Sequence, residues 1–153
     1  MIASPVQCVN GRRRATEALE LGMVRRYGRG AGLKTSRASV PKIYKICSAS
    51  AWREAERQGV FRGSADDARD GFIHFSSASQ VAETASKHFF GHQDLLLIEV
   101  DAGALGERLR WERSRNDEMF PHLYGELDLG AVRAVLDLHA RADGTHGIPE
   151  LKP

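Results

Sequence analysis

The chain is poor in cysteine, proline and aromatic residues, and it has no long apolar run. Its two cysteines, Cys8 and Cys47, form neither a CxxC pair nor a metal-ligand spacing. That excludes a disulfide framework and a cysteine-built zinc site, and it fits a reducing cytoplasm. The longest uncharged apolar stretch, Leu95 to Ile98, has the length of a buried strand. A membrane-spanning helix needs roughly 20 such residues, so no membrane association is expected. Glu17 and Glu20 interrupt the segment after Arg14, which therefore lacks the apolar stretch of a secretory signal. P-loop, GxGxxG, GxSxG and HExxH motifs are all absent.

What is present is enough for one domain. A chain of 153 residues can bury one sizeable core but not two ordinary ones. Its charge is unevenly spread. Residues 1–40 hold eight Arg or Lys against two acids, for a charge of +6, whereas the remaining 14 basic and 18 acidic residues give −4. The basicity therefore belongs to the N-terminal segment and is no argument for nucleic-acid binding by the rest of the chain. Residues 1–40 are rich in Arg, Gly and Ser and short of large apolar side chains, so they read as a flexible extension. Within them, 15–26 suits a short helix. This part is either a basic arm for an anionic partner, an unstructured extension or an over-long start upstream of Met23.

From Pro41 onward the pattern is that of a single domain, 41–150, in which strands and helices mix without regular βαβ alternation. Lys42 to Cys47 alternates with period two and reads as a strand. Ser48 or Ser50 caps a helix ending at Gly59. Residues 60–62 read as extended, 66–70 as a polar loop and 72–75 as a short strand. A second helix is expected from a Ser76 or Ser77 cap to about Phe90, with Ala78, Val81, Ala82, Ala85 and Phe89 on one face. Strands are expected over 94–100, 107–112 and 131–140, with a charged loop over 113–118. The class is α+β.

Two histidines lie in similar frames. His74 sits in Gly71-Phe72-Ile73-His74-Phe75-Ser76-Ser77, and His122 in Phe120-Pro121-His122-Leu123-Tyr124-Gly125. Polar groups inside apolar frames are costly unless paired, so two such frames suggest a site. If a helix starts at Ser76 or Ser77, its unpaired N–H groups would attract phosphate or carboxylate, with Gln80 adding an amide contact. His74 could then bind an anion, orient a ribose or move a proton. The competing reading is a core histidine beside an ordinary serine cap. Tyr124 shares a side with His122 in an extended segment, and the pair could hold a planar ligand. The competing reading is a rigid loop plugging the core. Lys45 either reaches a ligand phosphate or faces solvent on an edge strand. Glu112, Glu118 and Glu126 are the acids nearest the second motif, each a general base, a ribose contact or a surface residue. His88 and His92 have helical metal spacing, but Gly91 parts them, and no metal site is expected.

Taken together, IYKI (Ile43–Ile46), Trp52, GFIHFS (Gly71–Ser76), Gln80, LLLIEVD (Leu95–Asp101) and FPHLYG (Phe120–Gly125) resemble the bacterial family called domain of unknown function 952. The resemblance covers Lys42 to about Leu138. It implies an ADP-ribosyltransferase-like α+β fold with a split antiparallel or mixed sheet, two main helices and a cleft that binds NAD. His74 would anchor the ribose with Ser76 nearby. His122 and Tyr124 would line the other side, and Lys45 would lie near a first-strand ligand contact. No counterpart of the glutamate used by many such transferases is identified. Some members carry a glutathione S-transferase label, but this chain is too short for the usual thioredoxin-like plus helical pair of domains. Three functions follow as expectations: an NAD or ADP-ribose site with His74 and His122 as catalytic groups, a metal-dependent hydrolase or lyase, and a non-catalytic ligand-binding or interaction module.

Overall fold

Period-two alternation in the first long strand sorts its side chains into two cores. The computed structural model describes residues 40–153 and the backbone of Arg25–Arg26. Strand β1 is Arg25–Arg26 and strand β2 is Lys42–Ser48. On β2, Ile43 and Cys47 enter one apolar cluster with Trp52, Phe61 and Ile98, whereas Tyr44 and Ile46 enter a second with Val81, Ala85 and Leu97. A sheet buried on both faces reads as nearly continuous apolar sequence, which is why β2 and LLLIEVD look alike.

The main sheet is antiparallel, in the order β1–β9–β5–β2, with β5 at Leu95–Asp101 and β9 at Val132–Leu138. Helix α1, Ala49–Gln58, buries Trp52 and Ala55 in the first core. Ser48 caps it by accepting the Ala51 N–H, and Gly59 ends it at φ 77°, where a side chain would be strained. Helix α3, Val81–His88, covers the other face through Val81 and Ala85. A second sheet runs β4–β7–β6, with β4 at Ile73–His74, β6 at Leu109–Arg113 and β7 at Met119–Leu123. A small pair joins β3, Val60–Phe61, to β8, Leu127–Asp128. The two larger sheets meet at one bridge, where Tyr44 and Ser76 exchange both backbone hydrogen bonds at 2.8 Å. The result is a mixed α+β domain with antiparallel sheets and few helices.

Three local expectations are corrected. Residues 66–70 are not a loop. Helix α2, Ala65–Asp70, forms there because Ser64 and Asp67 make a reciprocal capping box. The next helix does not start at Ser76 or Ser77, since those residues belong to the bridge and a turn, and Gln80 is the N-cap without a side-chain cap bond. In the N-terminal segment, Arg25–Arg26 are strand rather than the end of a helix. The rest of that reading, including the basic arm, lies outside the described residues. Among the described residues no helix is long and apolar enough to cross a membrane.

Ile98 is fully buried in the central strand β5. Ile98→Ala should cost about 2–5 kcal/mol. In urea the unfolding midpoint should fall with the slope unchanged.

Candidate functional site

The site begins with a carboxylate that the sequence hides in a hydrophilic stretch. Asp67, on α2, is 2% exposed. Its Oδ2 accepts from the Ser64 N–H at 2.7 Å, the Ser64 hydroxyl at 3.0 Å and the Lys45 ammonium at 2.7 Å. Its Oδ1 accepts from Lys45 at 3.0 Å, the His74 backbone N–H at 3.0 Å and the His74 Nδ1 at 2.7 Å. One side chain thus ties α2 to β2 and β4. Such an approach needs Gly63, where a Cβ would stand 2.7 Å from that of Asp67 on a backbone at φ 91°.

Burial opposes ionisation of Asp67, but the His74 hydrogen bond and the Lys45 charge outweigh it, holding the carboxyl well below its ordinary range. An ionised carboxylate only accepts, so His74 Nδ1 carries the proton and, in the neutral ring, Nε2 is unprotonated. That Nε2 lies 3.3 Å from Asp70 Oδ2. Lys45 is therefore not a solvent-facing edge lysine. It is buried, and its charge is committed to Asp67.

The second histidine repeats the arrangement on the neighbouring strand. His74 and His122 are direct partners in the β4–β7 register, which sets both side chains on one face. Their ring centroids are 5.3 Å apart. Glu112, on β6, accepts from His122 Nδ1 at 2.8 Å and from the Tyr124 hydroxyl at 3.0 and 3.2 Å. The His122 hydrogen bond, followed by that of Tyr124, lowers the Glu112 pKa, so the same tautomer logic applies. Phe72 stacks on His122 with centroids 4.2 Å apart and also touches His74 and Tyr124.

Both imidazoles open onto one cleft of about 600 Å³ between the sheets, which Lys45 and Ser76 also line. Ser77, Gln80 and Tyr124 are not in its wall. The Gln80 amide is occupied, accepting from the Ser77 N–H at 3.0 Å and donating to Met119 O at 3.0 Å and Glu118 at 3.2 Å. With the Ser76 N–H bonded to Tyr44 O, the expected helix-start anion site does not form there. Glu126 lies elsewhere, paired with Arg62 on the surface. Among the described residues no group of three or more His, Cys, Asp or Glu side chains is placed to hold a metal.

Asp67 and Phe72 were missed as site residues, and Glu112 stood only as one of three acids. Signals existed for two of them. Ser64-Ala65-Asp66-Asp67 matches a capping box with Asp in place of Glu, and period two along 107–112 sets Glu112 on the face opposite Trp111.

Acid titration should expose the Asp67 network. Unfolded, an aspartate titrates near about 3.9. Below that value the unfolded chain binds a proton that the native chain refuses. The stabilisation is therefore complete above about pH 4 and is lost as pH falls toward the lower native value. Asp67→Asn should be less stable at neutral pH and show a flatter decline between about pH 5 and 2. Lys45→Met, which strands a buried carboxylate, should cost about 3–5 kcal/mol. Urea unfolding across pH measures both.

The comparisons with known proteins agree with this architecture. The family model described as "Protein of unknown function (DUF952)" matches residues 46–135. The crystal structure of protein CC0527 from Caulobacter crescentus is 48% identical, with a TM-score of 0.68 over 69% of this chain and 93% of that one. A double-mutant form of CC0527 gives 47% identity and the same TM-score and coverage. Its solution NMR structure gives 49% identity and a TM-score of 0.62, over 68% of this chain and 90% of that one. No curated protein matches. The chain therefore belongs to the DUF952 family of proteins of unknown function.

Proposed function

We propose that the cleft binds a nucleotide of the NAD or ADP-ribose type and that His74 and His122 exchange protons with it or orient its ribose. The observation that carries this reading is the cross-strand histidine pair. Two imidazoles 5.3 Å apart each have Nδ1 on a carboxylate, which leaves Nε2 of each ring for proton exchange, with Asp70 Oδ2 3.3 Å from that of His74 as a further acceptor. A general acid or base placed in this way contributes typically about 10²–10⁴-fold. Phe72 and Tyr124 pack against the imidazoles from outside the cleft wall, while Phe75, Phe89 and Phe120 line the cleft with aromatic surface suited to a ligand with planar rings.

The cleft between two antiparallel sheets also suits the ADP-ribosyltransferase-like architecture that the family resemblance implies. Of the carboxylates beside the imidazole pair, Asp67 and Glu112 each hold an Nδ1, and Asp70 lies 3.3 Å from His74 Nε2. Proton transfer in this reading therefore belongs to the imidazoles rather than to a catalytic glutamate. For the metal-dependent alternative, no third ligand stands beside the histidine pair among the described residues.

NAD or ADP-ribose at tenfold over Kd should stabilise the domain by about 1.4 kcal/mol. That raises Tm by a few degrees. His74→Ala should abolish the rise. If no nucleotide moves Tm at millimolar concentration, the nucleotide reading fails. If the alanine variant only lowers stability and leaves the ligand response intact, the histidine is structural.

A further inference from the structure

The wall of the cleft contributed by α3 carries a cation that neither histidine motif contains. Arg115 lies in the tight turn after β6, where Asn116 and Asp117 both adopt left-handed backbone at φ 56° and 61°. Consecutive non-glycine residues in that region are costly and persist only where the surroundings impose them. Here the Arg113–Asp117 ion pair at 2.8 Å and the Ser114 N–H to Glu118 O bond at 2.9 Å close the turn. Its effect is to fold Arg115 back over the Phe120 ring, 5.0 Å from its centroid, and onto α3. There Nη1 is 3.1 Å from His88 Nε2, and Nη2 donates to the Thr84 hydroxyl at 3.4 Å. The Thr84 hydroxyl in turn is 3.1 Å from that of Ser76.

This cation is incompletely neutralised. Arg115 Nε is buried without a hydrogen bond, 3.4 Å from Glu83. Glu83 is shared with Lys87, which holds it more closely at 2.6 Å, so two cations face one carboxylate. His88 adds no negative charge. Burial first and the Arg115 charge second lower its pKa, leaving a neutral ring that accepts from the guanidinium.

We infer that Arg115, with His88 and the Thr84 and Ser76 hydroxyls, is the seat for a phosphoryl group of the ligand. This inference rests on the nucleotide reading of the same cleft. A guanidinium presents its donors in a planar fork that matches a phosphate. All four residues line the cleft that His74 and His122 enter. The seat replaces the helix start once expected at Ser76 and Ser77, whose N–H groups are already bonded to Tyr44 O and Gln80 Oε1.

The test uses inorganic phosphate and ADP-ribose, titrated separately into the full chain and followed by NMR. Phosphate should move the Arg115 Nε–H signal and the His88 ring signals at millimolar concentration. Arg115→Gln should weaken phosphate binding at least tenfold, and Arg62→Gln, at a surface arginine outside the cleft, should leave it within twofold of the parent. That pattern supports the seat whether or not ADP-ribose binds. An ADP-ribose affinity unchanged in Arg115→Gln would retain the nucleotide reading and overturn the seat. So would phosphate that leaves the Arg115 and His88 signals unmoved in the unsubstituted protein, a result independent of whether any variant folds.

Discussion

Everything around the cleft depends on the burial of one carboxylate. Asp67 sits inside the domain with five donors converging on its two oxygens. Removing an unpaired carboxylate from water is prohibitive, so these donors are a condition of the fold rather than an ornament to it. They come from three separate parts of the chain: the capping serine of α2, the middle of β2 and the end of β4. Satisfying Asp67 therefore positions α2 against both larger sheets. A buried ion pair of this kind is weak evidence for net stability, because an apolar replacement of similar shape can do as well. Its value here is orientation. The same oxygen that accepts the His74 backbone N–H also accepts its ring, which fixes the residue twice.

From that anchor the strand register carries the arrangement outward. His74 faces His122 because they are paired residues of adjacent antiparallel strands, and Glu112 reaches His122 from the next strand along. Each imidazole is thus gripped from behind by a carboxylate and held at the front by its neighbours, Phe72 in particular. With Nδ1 committed in this way, each ring has only Nε2 left, and at His74 that nitrogen lies 3.3 Å from Asp70 Oδ2. The two rings share one face and open onto one cavity. Arg115 on the α3 side supplies what the histidine side lacks, a cation with donors in a planar array.

Much of the fold was legible in the sequence because the signals were local. The alternation of KIYKIC, the Ser48 and Gly59 caps of α1, and the dense apolar run of LLLIEV each announce their element without reference to the rest of the chain. The histidine frames were legible too, since apolar neighbours around a polar side chain imply burial. What escaped was set by pairing between distant segments. Asp67 looks like one acid among several in Ala65–Asp70, and only its meeting with Lys45 and His74 separates it from Asp66 and Asp70. The burial of Lys45 follows from the same meeting. The helix after Ser76 was placed too early because a serine pair before an apolar periodicity resembles a cap. In the fold those serines serve the bridge to Tyr44 and a turn, and α3 begins at Val81. Arg115 carries no sequence signal at all, since a reversed turn is what aims it.

Two ionised carboxylates fix the tautomers of two facing imidazoles. Long-range ¹H–¹⁵N NMR of the histidine rings at alkaline pH tests it directly, because it reports which nitrogen carries the proton. Protonated Nδ1 and bare Nε2 are expected at both His74 and His122. Protonated Nε2 at either ring, or an even mixture of tautomers, would contradict it.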